Sequence, residues 1–181
     1  MNTFRVLAAL LSYPQQAVIA CLGEMKAVLG QEGLLPPADV DALASLFADL
    51  EQMDIYDLQA RYGELFDQSR SLSLHLFEHI HGESRDRGQA MVDLLARYRQ
   101  RGLELAATEL PDFLPVFLEY LSQLPCEEAR AELGEARPVL SLLARRLAKR
   151  ETPYTPVLDA LLHLAEPAAR ALGATFRGET R

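Results

Sequence analysis

The chain has 181 residues, 49% of them hydrophobic and 24% charged, and its 18 basic against 26 acidic side chains give a formal net charge of −8. That length suits one domain and lets roughly 70% of the unfolded surface be buried, so neither a metal nor a disulfide is needed to hold a core. The acidic balance argues against a nucleic-acid binder and suits a partner that carries positive charge.

Apolar residues recur at helical spacing nearly everywhere, with no alternating strand pattern and no internal repeat. The expected architecture is all-α: a single compact helical domain of about ten helices over residues 1–170, then a polar tail over 171–181. The opening run MNTFRVLAALLSYP reads as a core helix over 3–12 that stops before Pro14. It is too short to span a membrane and lacks a small-residue cleavage site. In a second helix, 15–29, Cys21 shares an apolar face with Val18, Leu22, Met25 and Leu29, which predicts a buried free thiol. With Cys126 distant in sequence, no bridge is expected, in keeping with a reducing compartment. A third helix, 38–53, carries the stripe Val40, Leu43, Leu46, Phe47, Leu50 and Met53. Asp54 with Asp57 opens a helix over 55–66. Ser71 and Ser84 are N-caps for helices over 72–81 and 85–101, and Gly82 and Gly102 stand at their C-terminal ends. The helix over 112–124 is apolar on two sides. Phe113, Val116, Phe117, Tyr120, Leu121 and Leu124 form one face and Leu114 and Leu118 a second, which makes it the central helix. Helices over 126–133, 138–150 and 156–165 follow, the last opening on Thr155–Pro156.

Charge is unevenly spread. From Glu104 to Glu135 there are eight acidic residues against Arg130 alone, whereas Arg137, Arg145, Arg146, Lys149 and Arg150 make the next segment basic. Such runs are usually solvated faces, but an acidic rim could also attract a basic peptide. His75-Leu-Phe-Glu78-His79 matches the His-x-x-Glu-His pattern of inverted zinc peptidases, in which two imidazoles one turn apart chelate zinc beside a general base. The pattern is short, and no strand-bearing scaffold accompanies it. Under the plainer reading, one imidazole packs inward while the other and Glu78 line a surface. No nucleophile elbow and no phosphate-cradling loop is present.

The segment Tyr62 to Met91 is dense in aromatics, imidazoles and both charges. Over Tyr62, Leu65-Phe66-Asp67, Arg70 to His79 (RSLSLHLFEH), His81 to Gly88 (HGESRDRG) and Gln89-Ala90-Met91 it resembles the NarJ group of nitrate reductase assembly chaperones, part of the TorD/DmsD class of redox-enzyme maturation proteins. A second match is Leu110-Pro111-Asp112-Phe113-Leu114-Pro115. The resemblance implies a TorD-like helical fold, no enzymatic activity and no cofactor of its own. It implies binding in the cytoplasm to the N-terminal segment of the apo catalytic subunit of respiratory nitrate reductase. The subunit would be held there for molybdenum cofactor and iron–sulfur insertion before membrane attachment. Molybdenum cofactor delivery proteins are further partners it suggests, with no nucleic acid and no direct membrane insertion. The wider class carries a Pro-x-Asp-His motif, whereas Pro111-Asp112-Phe113 has phenylalanine where histidine is usual, so no role of that histidine carries over.

The matching residues define an expected peptide surface. Tyr62 and Phe66 come from helix 55–66, His75, Phe77, Glu78 and His79 from helix 72–81, and Pro111, Asp112 and Phe113 from the turn. Arg70, Asp86 and Arg87 should edge it. A helical adaptor with an unrelated peptide partner, and a zinc hydrolase using His75, Glu78 and His79, are the competing readings.

Overall fold

In the computed structural model, which describes residues 1–82, 84–105 and 109–166, α-helices follow one another through short connections. They are α1 (Asn2–Leu10), α2 (Gln16–Ala20), α3 (Leu22–Glu32), α4 (Pro37–Ala42), α5 (Ala44–Gln52) and α6 (Ile55–Tyr62). Then come α7 (Leu76–His81), α8 (Arg85–Gln100), α9 (Leu114–Ser122), α10 (Cys126–Glu135), α11 (Arg137–Ala148) and α12 (Thr155–Leu164). No strand occurs among the described residues, and the expected all-α class holds; a lone antiparallel bridge joins His75 and Phe113. The expected tail over 171–181 lies outside the described residues.

The core forms where apolar stripes from distant parts of the chain meet. α1 buries Phe4, Leu7 and Leu10 and lies along α9, with α3 beside it. Leu114, Leu118 and Leu121 of α9 are fully buried, so this helix is central, as its two apolar faces require. α11 and α12 pack on each other and close the far side with Leu140, Leu143, Leu147, Leu158 and Leu161. α1 has no cap of its own. Instead the Glu32 carboxylate, at the end of α3, accepts from the backbone N–H groups of Asn2 at 3.0 Å and Thr3 at 2.6 Å. Those donors would otherwise lack partners at the first turn.

Several boundaries differ from the sequence reading, each for a local reason. The helix expected over 15–29 breaks at Cys21, and that over 38–53 breaks at Leu43, whose N–H is shared between the carbonyls of Asp39 and Val40. After the first break Leu22 and Leu29 are buried and Cys21 is exposed, so the predicted buried thiol is corrected. Asp54 and Ser84 cap as expected, accepting from the N–H groups of Tyr56 and Asp86. Thr155 lies inside α12, and Tyr154 holds the cap position. α6 runs into a π-helical turn, Gly63–Asp67. Ser71 caps nothing: it sits in a 3₁₀ turn, Arg70–Leu72, and α7 starts only at Leu76.

Phe117 is 6% exposed and borders an open cleft. Truncation there enlarges the cleft instead of sealing a void, so Phe117→Ala is expected at the low end of the range for a buried aromatic, about 3 kcal/mol. Urea unfolding of the two proteins measures it. A loss below about 1 kcal/mol would remove Phe117 from the core.

Candidate functional site

Between the 3₁₀ turn and α7 the backbone opens out, with Ser73 at ψ 135° and His75 at ψ 105°. Leu72 and Leu74 stay buried on either side of Ser73, which anchors the stretch. It pairs with the turn ahead of α9. The Leu76 N–H donates to the Asp112 carbonyl at 2.9 Å, and the Leu114 N–H donates to the Leu74 carbonyl at 2.8 Å. This pairing brings the two family-like motifs side by side.

Asp112 is fully buried at their junction. One carboxylate oxygen accepts from the Phe77 N–H at 3.0 Å and lies 3.8 Å from the Arg87 guanidinium. The other lies 3.3 Å from His75 Nδ1. His75, the residue before α7, offers no capping oxygen. Asp112 supplies one from another element, binding the N–H that an N-cap aspartate would bind. Its charge also suits the positive end of the helix. Above it, the Tyr98 hydroxyl donates to the Pro111 carbonyl at 2.7 Å, fixing the turn from α8.

The imidazoles are engaged by the protein. The bond to Asp112 raises the His75 pKa above its ordinary value, against the opposing effect of burial, with Glu78 adding to the rise and Arg87 reducing it. The His75 ring also lies against Phe113, centroids 5.2 Å apart. His79 Nε2 is 2.8 Å from the Ser73 carbonyl, which makes that nitrogen the donor. Its Nδ1 faces Arg146 at 3.5 Å, and Arg146 donates to the Ser71 carbonyl at 2.6 Å. Because α7 begins after His75, the two imidazoles do not form the helical pair that zinc chelation by the His-x-x-Glu-His pattern needs. No metal-competent group of three or more His, Cys, Asp or Glu side chains is found among the described residues.

Of the expected peptide surface, Tyr62, Phe66, Pro111 and Asp112 are buried and not open to a ligand in this conformation. The Tyr62 hydroxyl donates to the Leu11 carbonyl at 2.8 Å, and its ring packs on Phe66 and Tyr154 at 4.9 and 6.3 Å. These aromatics belong to the core. His75, Phe77, Glu78, His79, Arg87 and Phe113 are half-buried around Asp112, and Arg70 and Asp86 are exposed. Arg87 joins Glu78 at 3.3 Å.

The sequence reading missed a cleft of about 290 Å³ on the other flank of α7. Leu76, Phe77, Ile80, Leu94, Phe117 and Val139 give it apolar walls, and Asp93, Arg97, Glu132 and Glu135 lie along its edge. The signal available in the sequence was the acidic run through Glu135. Arg146 was missed as well, having been read only as part of a basic surface.

The raised His75 pKa has a consequence for stability. The protonated ring bound to Asp112 stabilises the fold fully below the unfolded value of 6.5. That contribution is lost as pH rises through the higher folded value. His75→Gln should therefore cost about 1 kcal/mol, the scale of one hydrogen bond, at about pH 5.5, and distinctly less at about pH 8.5. Thermal unfolding of both proteins at the two pH values checks the sign, and a cost that grows with pH would refute the pairing.

The family model described as nitrate reductase delta subunit matches residues 32–160. The chain is 51% identical to the nitrate reductase molybdenum cofactor assembly chaperone NarJ of Escherichia coli K12, over 90% of this chain and 69% of that protein. It is 44% identical to NarW of the same organism, over 91% of this chain and 68% of that one. In fold it is similar to a crystal structure described as a redox enzyme maturation protein from Archaeoglobus fulgidus. The TM-score is 0.64 at 23% identity, covering 90% of this chain and 91% of that one. The chain therefore belongs to the nitrate reductase delta subunit family.

Proposed function

We propose that this chain is a nitrate reductase molybdenum cofactor assembly chaperone and not an enzyme, acting on the apo catalytic subunit of a nitrate reductase. The observation that carries this is its 51% identity, over nearly the whole chain, to a relative named as such a chaperone. In this reading the chain binds the N-terminal segment of the subunit and holds it while the molybdenum cofactor and iron–sulfur centres are inserted, in the cytoplasm and before membrane attachment. Proteins that deliver the cofactor are its further partners. No helix among the described residues is long and apolar enough to cross a membrane.

The segment docks on the side of α7 where Phe77, Glu78, His79 and His75 are half-open, with Arg70, Asp86 and Arg87 at its edge. Asp112, Pro111, Tyr62 and Phe66 support that surface from beneath: Asp112 positions α7, and the two aromatics fix the chain that leads into it. A peptide laid against a helix of this kind uses its own apolar face and leaves charged residues to set orientation.

Two outcomes follow. When the catalytic subunit is produced in cells lacking this chain, it should contain far less molybdenum by elemental analysis than when the chain is present. Equal content in both would defeat the assembly role. Glu78→Ala should change stability by no more than about 0.5 kcal/mol, as at most surface positions, yet weaken calorimetric binding of the subunit's N-terminal peptide severalfold. Unchanged affinity would move the docking surface away from Glu78.

A further inference from the structure

The backbone carbonyls ahead of α7 lead to Arg146. Between Arg70 and His75 the carbonyls of Arg70 and His75 accept from the N–H groups of Ser73 and Glu78, and that of Leu74 accepts from Leu114 across the pairing. Those of Ser71 and Ser73 are satisfied by side chains instead. Arg146 of α11 donates to the Ser71 carbonyl at 2.6 Å, and His79 Nε2 donates to the Ser73 carbonyl at 2.8 Å. The same Arg146 nitrogen stands 3.5 Å from His79 Nδ1. One guanidinium nitrogen of α11 therefore meets both the segment that leads into α7 and the imidazole in its last turn. The end of α11 does not account for this placement. A cation in the last turn suits the negative end of a helix, and Arg145 serves there by turning back to the Ser141 carbonyl at 3.3 Å. Arg146 reaches across to another element, and it joins no carboxylate among the described residues.

We infer that Arg146 is a positioning residue for the α7 surface: it closes on a neutral His79 and releases a protonated one, so that α7 presents its docking face in neutral conditions and loosens in acid. The ring chemistry sets this requirement. Nε2 carries the proton that the Ser73 carbonyl accepts, which leaves Nδ1 a lone pair toward the guanidinium. A second proton, on Nδ1, would aim a donor at a donor and set two cations against each other. His75 responds in the opposite sense, because its tie to Asp112 is strongest when the ring is protonated. The other charged or titratable groups on and around α7 are Glu78 and His81 on the helix, Arg87 on α8 and Arg70 on the 3₁₀ turn. Glu78 already joins Arg87, and the His81 ring packs on Phe77. Arg146 is the charged group that the described structure sets against a nitrogen of His79. With both ring nitrogens engaged by the protein, His79 supports the docking face and does not offer a hydrogen bond to a ligand. The inference rests on the chaperone reading and deepens it by naming what holds α7 in its docking position.

The test joins hydrogen exchange of the free protein to calorimetry with a synthetic peptide of the catalytic subunit's N-terminal segment. At about pH 7.5, Arg146→Gln should speed exchange of the α7 amides about tenfold while those of α12 stay protected. It should also weaken peptide binding severalfold. Arg146→Lys keeps the charge and a donor, and should fall between Arg146→Gln and wild type in both measurements. Moving wild type to about pH 5.5 should loosen α7 relative to α12 and lower its affinity. In His79→Gln, whose side-chain amide can donate to Ser73 without titrating, that acid response should be lost, whatever the affinity at neutral pH. Wild-type exchange and affinity in Arg146→Gln, or an acid response in His79→Gln as large as in wild type, overturns the inference while leaving the chaperone reading in place. Faster exchange with unchanged affinity makes Arg146 a structural residue only and overturns its positioning role. If Arg146→Gln loosens α12 as well, Arg146→Lys and the acid response of His79→Gln decide. No binding by wild type at either pH overturns the docking reading and the positioning role together.

Discussion

The buried carboxylate of Asp112 ties together three segments that the sequence keeps apart. It accepts the Phe77 N–H at the start of α7, faces His75 ahead of that helix and lies near Arg87 on α8. A short helix of six residues has little stability of its own, since the cost of its first turn is spread over few hydrogen bonds. Its position therefore depends on an external cap and on the antiparallel pairing of residues 74–76 with 112–114. Because the cap is anionic and fully buried, its partners are constrained too. A buried charge needs donors, and those of Asp112, the Phe77 N–H and His75 Nδ1, belong to the α7 surface, with the Arg87 guanidinium 3.8 Å away. Fold and site are in this sense one structure. The group that fixes α7 also orients His75 and Arg87.

The sequence made the helical class legible because its apolar period is 3.6 almost throughout. It also revealed α9 as central, since Leu114 and Leu118 add a second apolar face to the first. The misreadings fall where tertiary contacts override local pattern. Ser71 looked like an N-cap, yet the chain after it is drawn into pairing with the turn before α9, a partner some forty residues distant that periodicity cannot show. Cys21 sat on an apolar face only if the helix ran unbroken, and a one-residue break turned it out. The boundary between α6 and the π-helical turn likewise follows from packing of Tyr62 and Phe66 against Tyr154, far along the chain.

The candidate site was legible in part. His75, Phe77, Glu78, Arg87 and Phe113 gather around Asp112, whereas Tyr62 and Phe66 pack against Tyr154. What sequence could not give was the division of labour among them. Tyr62, Phe66 and Asp112 matched the family pattern as strongly as Glu78 and Phe77 did, yet they are buried, and only burial separates a residue that builds a surface from one that presents it. Phe113 is half-buried between the two groups, its ring lying against His75.

Magnitudes set how much surface a docked segment has to cover. Ordering a segment of ~15 residues costs roughly 1–2 kcal/mol per residue. At about 25 cal/mol per Å², offsetting that asks for ~600–1,200 Å² of apolar burial. A cleft of about 290 Å³ cannot supply it alone. Nor can the His75–Glu78 flank, where imidazole and carboxylate groups occupy much of the surface. Phe77 stands between the two flanks, lining the cleft while its backbone N–H is held by Asp112. The buried carboxylate thereby fixes where α7 stands, and with it the surfaces on both sides of the helix.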